Sequence, residues 1–180
     1  MHNIIAIVGM CGAGKSVACD YLENLGYQKI YFGGVTMDKL KELNLEVTPE
    51  NEKMVRENLR KELGMGAFAI CLLPKIKEVA ENGNIVLDGL YSWDELVILE
   101  KEYPNMVTIA ITADKDLRYE RLAKRPIRPF SFEDAKKRDI AEIENSAKGG
   151  PIAYANYYIL NNGTIDDFHK RLADILKEIK

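Results

Sequence analysis

The chain has 180 residues, with 25 basic and 28 acidic side chains and a formal charge of −3. This length predicts one domain with a buried core, and the slightly acidic balance excludes attraction to nucleic acid or to an anionic membrane through a global field. No stretch reaches the roughly 18 apolar residues of a membrane span. The three cysteines are an odd number without metal-ligand spacing, which favours a reducing, cytoplasmic setting.

Five apolar runs alternate with charged, periodic segments along the chain. The runs are NIIAIV, with a strand predicted over residues 3–8, then KIYF, NIVLDG, MVTIAIT and NYYILNN. This rhythm predicts a three-layer α/β/α domain with a mainly parallel five-stranded sheet and ligands at the carboxyl ends of the strands. Ser131 with Asp134, and Thr164 with Asp167, have the spacing of helix caps and predict helices over 132–146 and 165–179.

A phosphate-binding motif follows the first predicted strand. The segment Gly9-Met10-Cys11-Gly12-Ala13-Gly14-Lys15-Ser16 fits G-x-x-x-x-G-K-[ST] and precedes a predicted helix. Its glycines let backbone N–H groups converge on phosphate, Lys15 is predicted to reach the β- and γ-phosphates, and Ser16 is predicted to ligate Mg²⁺. The predicted ATP-binding set is Gly9, Gly12, Ala13, Gly14, Lys15, Ser16 and Val17. A glycine-rich turn with a chance Lys-Ser is the alternative, and the strand and helix on either side disfavour it.

Asp88 ends the third predicted strand, directly before Gly89. A carboxylate in this position can hold a magnesium-bound water or orient the acceptor, which makes Asp88 a catalytic and metal-site candidate. The alternative is an aspartate that only begins a turn with Gly89. The phosphate-binding motif in the same chain favours the first interpretation.

Arginines recur through the segment DKDLRYERLAKRPIRPF. Arg118, Arg121 and Arg125 lie at i, i+3 and i+7, hence on one helical face, and Arg128 lies between two prolines. Like charges on one face repel unless an anion lies between them, and a triphosphate supplies such an anion. Arg121, Arg125 and Arg128 are therefore predicted catalytic residues on a closing flap. The alternative, most pertinent to Arg118, is a solvated face with salt-bridge partners at Glu120, Asp134 and Asp139.

A second pair of arginines lies between the second and third strands. Arg56 and Arg60 are one helical turn apart, a geometry that could clamp the phosphate of a second substrate. Glu52 lies one turn before Arg56, so an ion-pair ladder is an equal alternative. These two arginines are the predicted acceptor-side cations.

Two further pairs are substrate-binding candidates. Gly33 and Gly34, after the second strand, would permit close approach of a substrate to the backbone, or form an ordinary turn. Tyr91 and Trp93 follow Asp88-Gly89 and could stack on a planar base, or simply pack at a helix start.

These motifs together resemble the nucleoside monophosphate kinase superfamily over nearly the whole chain. RLAKRPIR resembles the lid of dephospho-CoA kinase, and NYYILNNGT resembles the segment that passes near the donor adenine in that enzyme. By this resemblance Asn161, Asn162 and Gly163 are adenine contacts, although Asn156 replaces the usual Asp. The resemblance implies a sheet of order 2-3-1-4-5, ATP with Mg²⁺, an acceptor-binding helical insert at 33–80 and a lid at 125–135.

The acceptor is left open by the resemblance. Residues 32–69 are more similar to the acceptor-side region of an archaeal family of adenylate-kinase-like proteins, yet the arginine that follows Asp-Gly in adenylate kinase is missing after Gly89. The acid that follows strand two in dephospho-CoA kinases is also missing, since no acid occurs there until Asp38.

The predicted activity is ATP-dependent transfer of phosphate to a small nucleotide-type acceptor, without a nucleic-acid or membrane partner. The alternatives are a dephospho-CoA kinase and, from another class, a nucleotide-binding switch or slow ATPase that a partner protein recognises. The oligomeric state is left undetermined.

Overall fold

A five-stranded parallel sheet forms the centre of the molecule. The computed structural model describes residues 2–179. The strands are β1 (Ile4–Val8), β2 (Gln28–Tyr31), β3 (Ile85–Asp88), β4 (Val107–Thr112) and β5 (Tyr157–Leu160), in the order β2-β3-β1-β4-β5. All four pairings are parallel. The predicted strands, their parallel arrangement and the sheet order are confirmed.

Nine helices surround the sheet within the described residues. They are α1 (Lys15–Asn24), α2 (Gly34–Glu42), α3 (Pro49–Leu63), α4 (Ala67–Ala80), α5 (Trp93–Glu102), α6 (Lys115–Ala123), α7 (Phe132–Ser146), α8 (Gly149–Ala153) and α9 (Ile165–Glu178). The caps predicted for α7 and α9 are confirmed, because Ser131 and Thr164 accept hydrogen bonds from the backbone N–H groups of Asp134 and Asp167.

Helices cover both faces of the sheet, which confirms the three-layer prediction. Every residue of β1 is buried, and successive side chains point to opposite faces. Ile5 and Ile7 pack in a cluster with Leu22 of α1 and Leu172 of α9. Ile4, Ala6 and Val8 pack on the other face in a cluster that contains residues of α4 and α5. The near-continuous apolar strands follow from this double coverage.

Two segments depart from the simple alternation of strand and helix. Residues between β2 and β3 form three helices, α2 to α4, and residues between α6 and α7 form a loop that contains two prolines. In residues 2–179 no helix has both the length and the apolar character needed to cross a membrane.

Candidate functional site

The phosphate-binding motif forms a tight loop between β1 and α1. Gly9, Gly12 and Gly14 have φ of 146°, 80° and 108°, in the region that favours glycine. A Cβ on Gly9 would collide with the carbonyl oxygen of Ile111 in β4. The glycines are therefore needed both for the backbone conformation and for the close approach of the loop to the sheet.

The first turn of α1 is available to an anion. Gly14 is its N-cap, and within residues 2–179 no side chain caps this end of the helix. The first N–H groups of α1 therefore lack an internal acceptor, and the helix dipole adds positive potential there. Ser16, in this first turn, is exposed. These features fit the phosphates of a nucleotide and a magnesium ion beside Ser16.

Lys15 lies inside this site rather than on its surface. Its Nζ donates to the backbone carbonyl of Met10 at 3.1 Å. Burial lowers the pKa of Lys15, and the negative charges of Glu142 and Asp88 oppose that shift. Within residues 2–179 no carboxylate forms an ion pair with this ammonium, so Lys15 can turn to a phosphate without breaking one.

Asp88 lies at the carboxyl end of β3, beside β1. Its register partner in β1 is Ile7, one strand residue before the end of β1. Burial raises the pKa of Asp88, and the charge of Lys15 opposes the rise. The structure therefore brings Asp88 and Lys15 into one site.

The segment after β5 is bonded to the phosphate-binding loop. Asn161 donates from Nδ2 to the carbonyl of Ala13 at 2.9 Å, and its own carbonyl accepts from Nη2 of Arg121 at 2.8 Å. Asn162 accepts from the backbone N–H of Asp114 at 3.0 Å. The predicted adenine segment thus borders the loop, with Gly163 next along the chain. Val17 of α1 packs in the core cluster on the α1 side of the sheet.

Asn156 lies at the opposite end of β5 from this segment. Its side chain accepts from the backbone N–H of Thr108 at 2.8 Å, and its own N–H donates to the carbonyl of Thr108 at 2.9 Å. Asn156 therefore joins the start of β5 to β4, at the end of the strand away from the phosphate-binding loop.

The three arginines of the α6 stripe have different roles. Arg118 is buried and donates twice to Asp139 of α7, at 2.9 and 2.6 Å, and once to the carbonyl of Cys11 at 2.9 Å. The salt-bridge partner in the alternative is thus correct for Arg118, but the pair is buried and not on a solvated face. Arg121 bonds to Asn161, and its buried Nη1 has no hydrogen-bond partner within the described chain. Arg125 is exposed and lies beyond α6, which ends at Ala123, so the prediction that it shares a helical face with Arg118 and Arg121 is wrong.

Arg128 extends from the proline-flanked loop toward α3. Its Nη2 lies 3.7 Å from Oε1 of Glu52. Its φ of 51° is in the left-handed region, an uncommon conformation for a residue that precedes proline. Strain of this kind is found where the surrounding structure imposes it, often at ligand clamps.

The two arginines of α3 also differ. Arg56 donates to Glu52 at 3.3 Å, so the ion-pair ladder exists at this position. Arg60 stands outside the ladder: its guanidinium lies 5.7 Å from the ring centre of Phe68, and its buried Nε has no hydrogen-bond partner within residues 2–179. Burial lowers the pKa of Arg60, and the carboxylate of Glu95 opposes that shift. Arg60 thus retains an unused buried donor.

Three of the four glycine and aromatic candidates for substrate binding contact other side chains of the protein. The ring of Tyr91 lies under the ammonium of Lys148, 4.4 Å from the ring centre, and Trp93 meets Tyr154 edge to face at 5.3 Å. The space beside Gly33 is filled by the ring of Tyr31, whereas the space beside Gly34 is open. Their roles in substrate binding stay predictions.

Lys148 and Glu142 are site residues that the sequence analysis missed. Lys148 is 1% exposed, and its Nζ donates to Glu142 at 2.6 Å. Burial first, and the charge of Lys15 second, lower the pKa of Lys148 to about 8. The sequence signals only a loop at KGGP, because nothing local shows that a lysine there turns inward.

The loop, its lysine, the carboxylate at the end of β3 and the parallel sheet define a P-loop kinase-like domain. The model of the AAA domain matches residues 5–142. A UPF0200 protein of Thermococcus onnurineus is 32% identical over 181 residues, which cover 98% of this chain and 97% of the relative. The chain therefore belongs to the UPF0200 family, a group of archaeal P-loop proteins.

Solved structures of small-molecule kinases share the fold. Dephospho-CoA kinase from Campylobacter jejuni superposes with a TM-score of 0.58 at 19% identity, over 99% of this chain and 98% of its own. Shikimate kinase from Bacteroides thetaiotaomicron gives 0.60 at 19% identity, over 97% and 98%. At this identity the likeness establishes the architecture, and the resemblance to the kinase superfamily is confirmed at that level.

Proposed function

We propose that the protein transfers the γ-phosphate of ATP to a small nucleotide-type acceptor that carries a phosphate. The observation that supports this most directly is the unused buried donor of Arg60. An unpaired buried donor is costly, so its persistence points to a ligand that completes it. A phosphate oxygen is the natural partner of a guanidinium.

The acceptor side is continuous with the phosphate loop through Tyr91. Arg60 is close enough to Glu95 for the carboxylate to oppose the fall in the pKa of Arg60. Glu95 accepts from the backbone N–H of Tyr91 at 2.8 Å, and Tyr91 follows Asp88-Gly89 closely in the chain. Asp88 in turn interacts with Lys15. This succession links the proposed acceptor clamp on α3 to the proposed donor site on α1, which is the arrangement that direct phosphoryl transfer requires.

The chemistry then depends on positioning and charge. The N–H groups of the loop and Lys15 would hold the donor phosphates, while Ser16 and Asp88 would hold Mg²⁺, which would supply positive charge at the phosphoryl oxygens. Arg121 of α6 adds a cation, and so do Arg125 and Arg128 of the proposed lid at 125–135. Arg128 already contacts α3 of the proposed acceptor insert at 33–80, so lid closure would carry it from Glu52 toward the substrates.

A phosphate acceptor fits this site better than a hydroxyl. A monophosphate is already an oxyanion and needs no strong base, whereas a hydroxyl needs a carboxylate to accept its proton. Asp38 and Asp94 are exposed on α2 and α5. Asp88 faces the lysine of the donor site, a position suited to metal and donor phosphate.

An acceptor panel tests the proposal. Purified protein with ATP and Mg²⁺ is given ribo- and deoxynucleoside monophosphates, nucleosides and dephospho-CoA in turn, and product masses are determined. We expect one monophosphate to raise ADP formation far above the acceptor-free rate and to gain one phosphate. Phosphorylation of dephospho-CoA alone would favour that alternative. A slow basal rate with every acceptor would favour the switch.

Arg60→Met tests the acceptor clamp. We expect the KM for the acceptor to rise about tenfold, because one charge-assisted hydrogen bond to phosphate is lost. The KM for ATP should change less than about twofold, because Arg60 lies on the acceptor side. Steady-state kinetics with the acceptor found in the panel provide both values.

Lys53→Met is the matched control, since Lys53 is an exposed cation of the same helix that pairs with Glu57 at 3.7 Å. It should leave both constants unchanged. Equal rises in both KM values for Arg60→Met would contradict a role on the acceptor side. No change in either KM would show that Arg60 contacts neither substrate.

A further inference from the structure

The end of α7 and the residue before α8 form a buried ion cluster. Glu142 accepts from Nζ of Lys148 at 2.6 Å through one oxygen and from Nε of Arg138 at 3.0 Å through the other. Lys148 is 1% exposed and Glu142 5% exposed. Burial disfavours the ionised Glu142, but Lys148 and Arg138 outweigh it, so the pKa of Glu142 lies below its ordinary value. The Lys148–Glu142 pair is thus a charged part of the interior, and Arg138 lies half-exposed beside it.

The cluster faces the phosphate-binding loop. Lys15 is close enough to Lys148 for its charge to help lower the pKa of Lys148. Among the charges around Lys15, Glu142 opposes the fall in the pKa of Lys15 most. On its other side Lys148 lies over the ring of Tyr91, just after the end of β3. Lys148 is therefore placed between the lysine of the loop and the proposed acceptor side.

Structural stabilisation is a weak explanation for these charges. A buried ion pair loses about as much in desolvation as it gains by attraction, so apolar residues of similar size would serve the fold equally well. The charge of Lys15 also disfavours the charged form of Lys148, so the two ammonium groups repel each other. An anion between Lys15 and Lys148 would relieve this repulsion.

We propose that Lys148 is a second phosphate-binding lysine, held by Glu142 so that its ammonium contacts the γ-phosphate of the bound nucleoside triphosphate. The γ-phosphate is the part of the donor nearest the acceptor, which is where Lys148 lies relative to Lys15. Glu142 is a positioning residue in this scheme. The inference rests on the proposed binding of ATP at the phosphate loop.

The test compares a triphosphate analogue with a diphosphate. Dissociation constants for AMPPNP and for ADP, each with Mg²⁺, are measured by titration calorimetry on the full chain and on Lys148→Met. We expect AMPPNP to bind about tenfold more weakly to the variant, because a charge-assisted contact to the γ-phosphate is lost. ADP should bind with affinity changed less than about twofold. Equal changes for the two ligands, or none, would overturn the proposal.

A second variant separates binding from stability. Lys148→Met leaves the Glu142 carboxylate with Arg138 alone, which can destabilise the fold. The double variant Lys148→Met/Glu142→Gln removes both charges, so it should unfold nearer the wild-type temperature and still show the tenfold loss for AMPPNP. A stable double variant with the wild-type ratio of the two affinities would overturn the proposal. Lys137→Met, an exposed lysine of α7, controls for the loss of one positive charge.

The outcome can be separated from that of the proposed function, since the titrations contain no acceptor. Loss of AMPPNP selectivity in a protein that phosphorylates nothing would support a γ-phosphate contact in a nucleotide switch. If the wild type is an active kinase and Lys148→Met keeps the wild-type ratio of AMPPNP to ADP affinity, the role of Lys148 is rejected and the proposed function stands. Failure of the wild-type chain to bind either nucleotide would overturn both proposals.

Discussion

Lys15→Met is expected to lower kcat for phosphoryl transfer about 10³-fold, while the protein stays folded. Lys15 is the cation of the phosphate loop, and its ammonium donates to the carbonyl of Met10 at 3.1 Å. Methionine keeps the length of the side chain but cannot neutralise charge on the transferring group. Kinetics with the acceptor found in the panel would measure the loss.

The same variant should separate function from stability. Because burial already lowers the pKa of Lys15, removing the ammonium relieves a desolvation cost, and the unfolding temperature without nucleotide should be equal to or above that of the wild type. The rise in unfolding temperature that ATP and Mg²⁺ produce should be reduced or lost. Lys124→Met, an exposed lysine at the end of α6, is the control and should behave as wild type. Wild-type turnover by Lys15→Met would contradict the kinase assignment.

The sheet and its order could be predicted because the determinants are local or are supplied by the resemblance. Each strand is a short apolar run, and β1 and β3 are buried on both faces. The phosphate loop is a contiguous motif whose glycines need particular φ values, so eight neighbouring residues identify it. The caps of α7 and α9 are likewise read from residues three positions apart.

The charged side chains were harder to interpret, because their partners are distant in sequence. Arg118 and Arg121 lie on one face of α6, yet one pairs with Asp139 and the other with the carbonyl of Asn161, 40 residues away. The spacing of the arginines cannot show this, since it describes a single helix and not what packs against it. Lys148 shows this most clearly, because a lysine beside two glycines indicates an exposed loop. In the tertiary structure its side chain is buried and donates to Glu142.

Asp139→Asn is expected to destabilise the protein by about 3–5 kcal/mol. Asp139 receives two hydrogen bonds from the buried Arg118 and a third from the hydroxyl of Tyr119 at 3.1 Å. Asparagine removes the charge and leaves the guanidinium buried without a counter-ion. Urea unfolding followed by circular dichroism would measure the change.

Glu133→Gln is the matched control on the same helix. Glu133 and Lys137 form an exposed pair at 3.9 Å, which should contribute less than about 1 kcal/mol. A loss of stability by Asp139→Asn no larger than that of the control would show that the buried pair contributes nothing.

The pair also connects α7 to the phosphate-binding loop, because Arg118 donates to the carbonyl of Cys11 at 2.9 Å. The double variant Arg118→Met/Asp139→Leu tests this connection. Two apolar side chains should restore much of the stability that Asp139→Asn loses, since no buried charge is left without a partner. Affinity for ATP should nevertheless be lower than that of the wild type, because a methionine in place of Arg118 lacks the donor that holds the loop at Cys11. Recovery of stability together with wild-type affinity would show that the contact with the loop has no part in nucleotide binding.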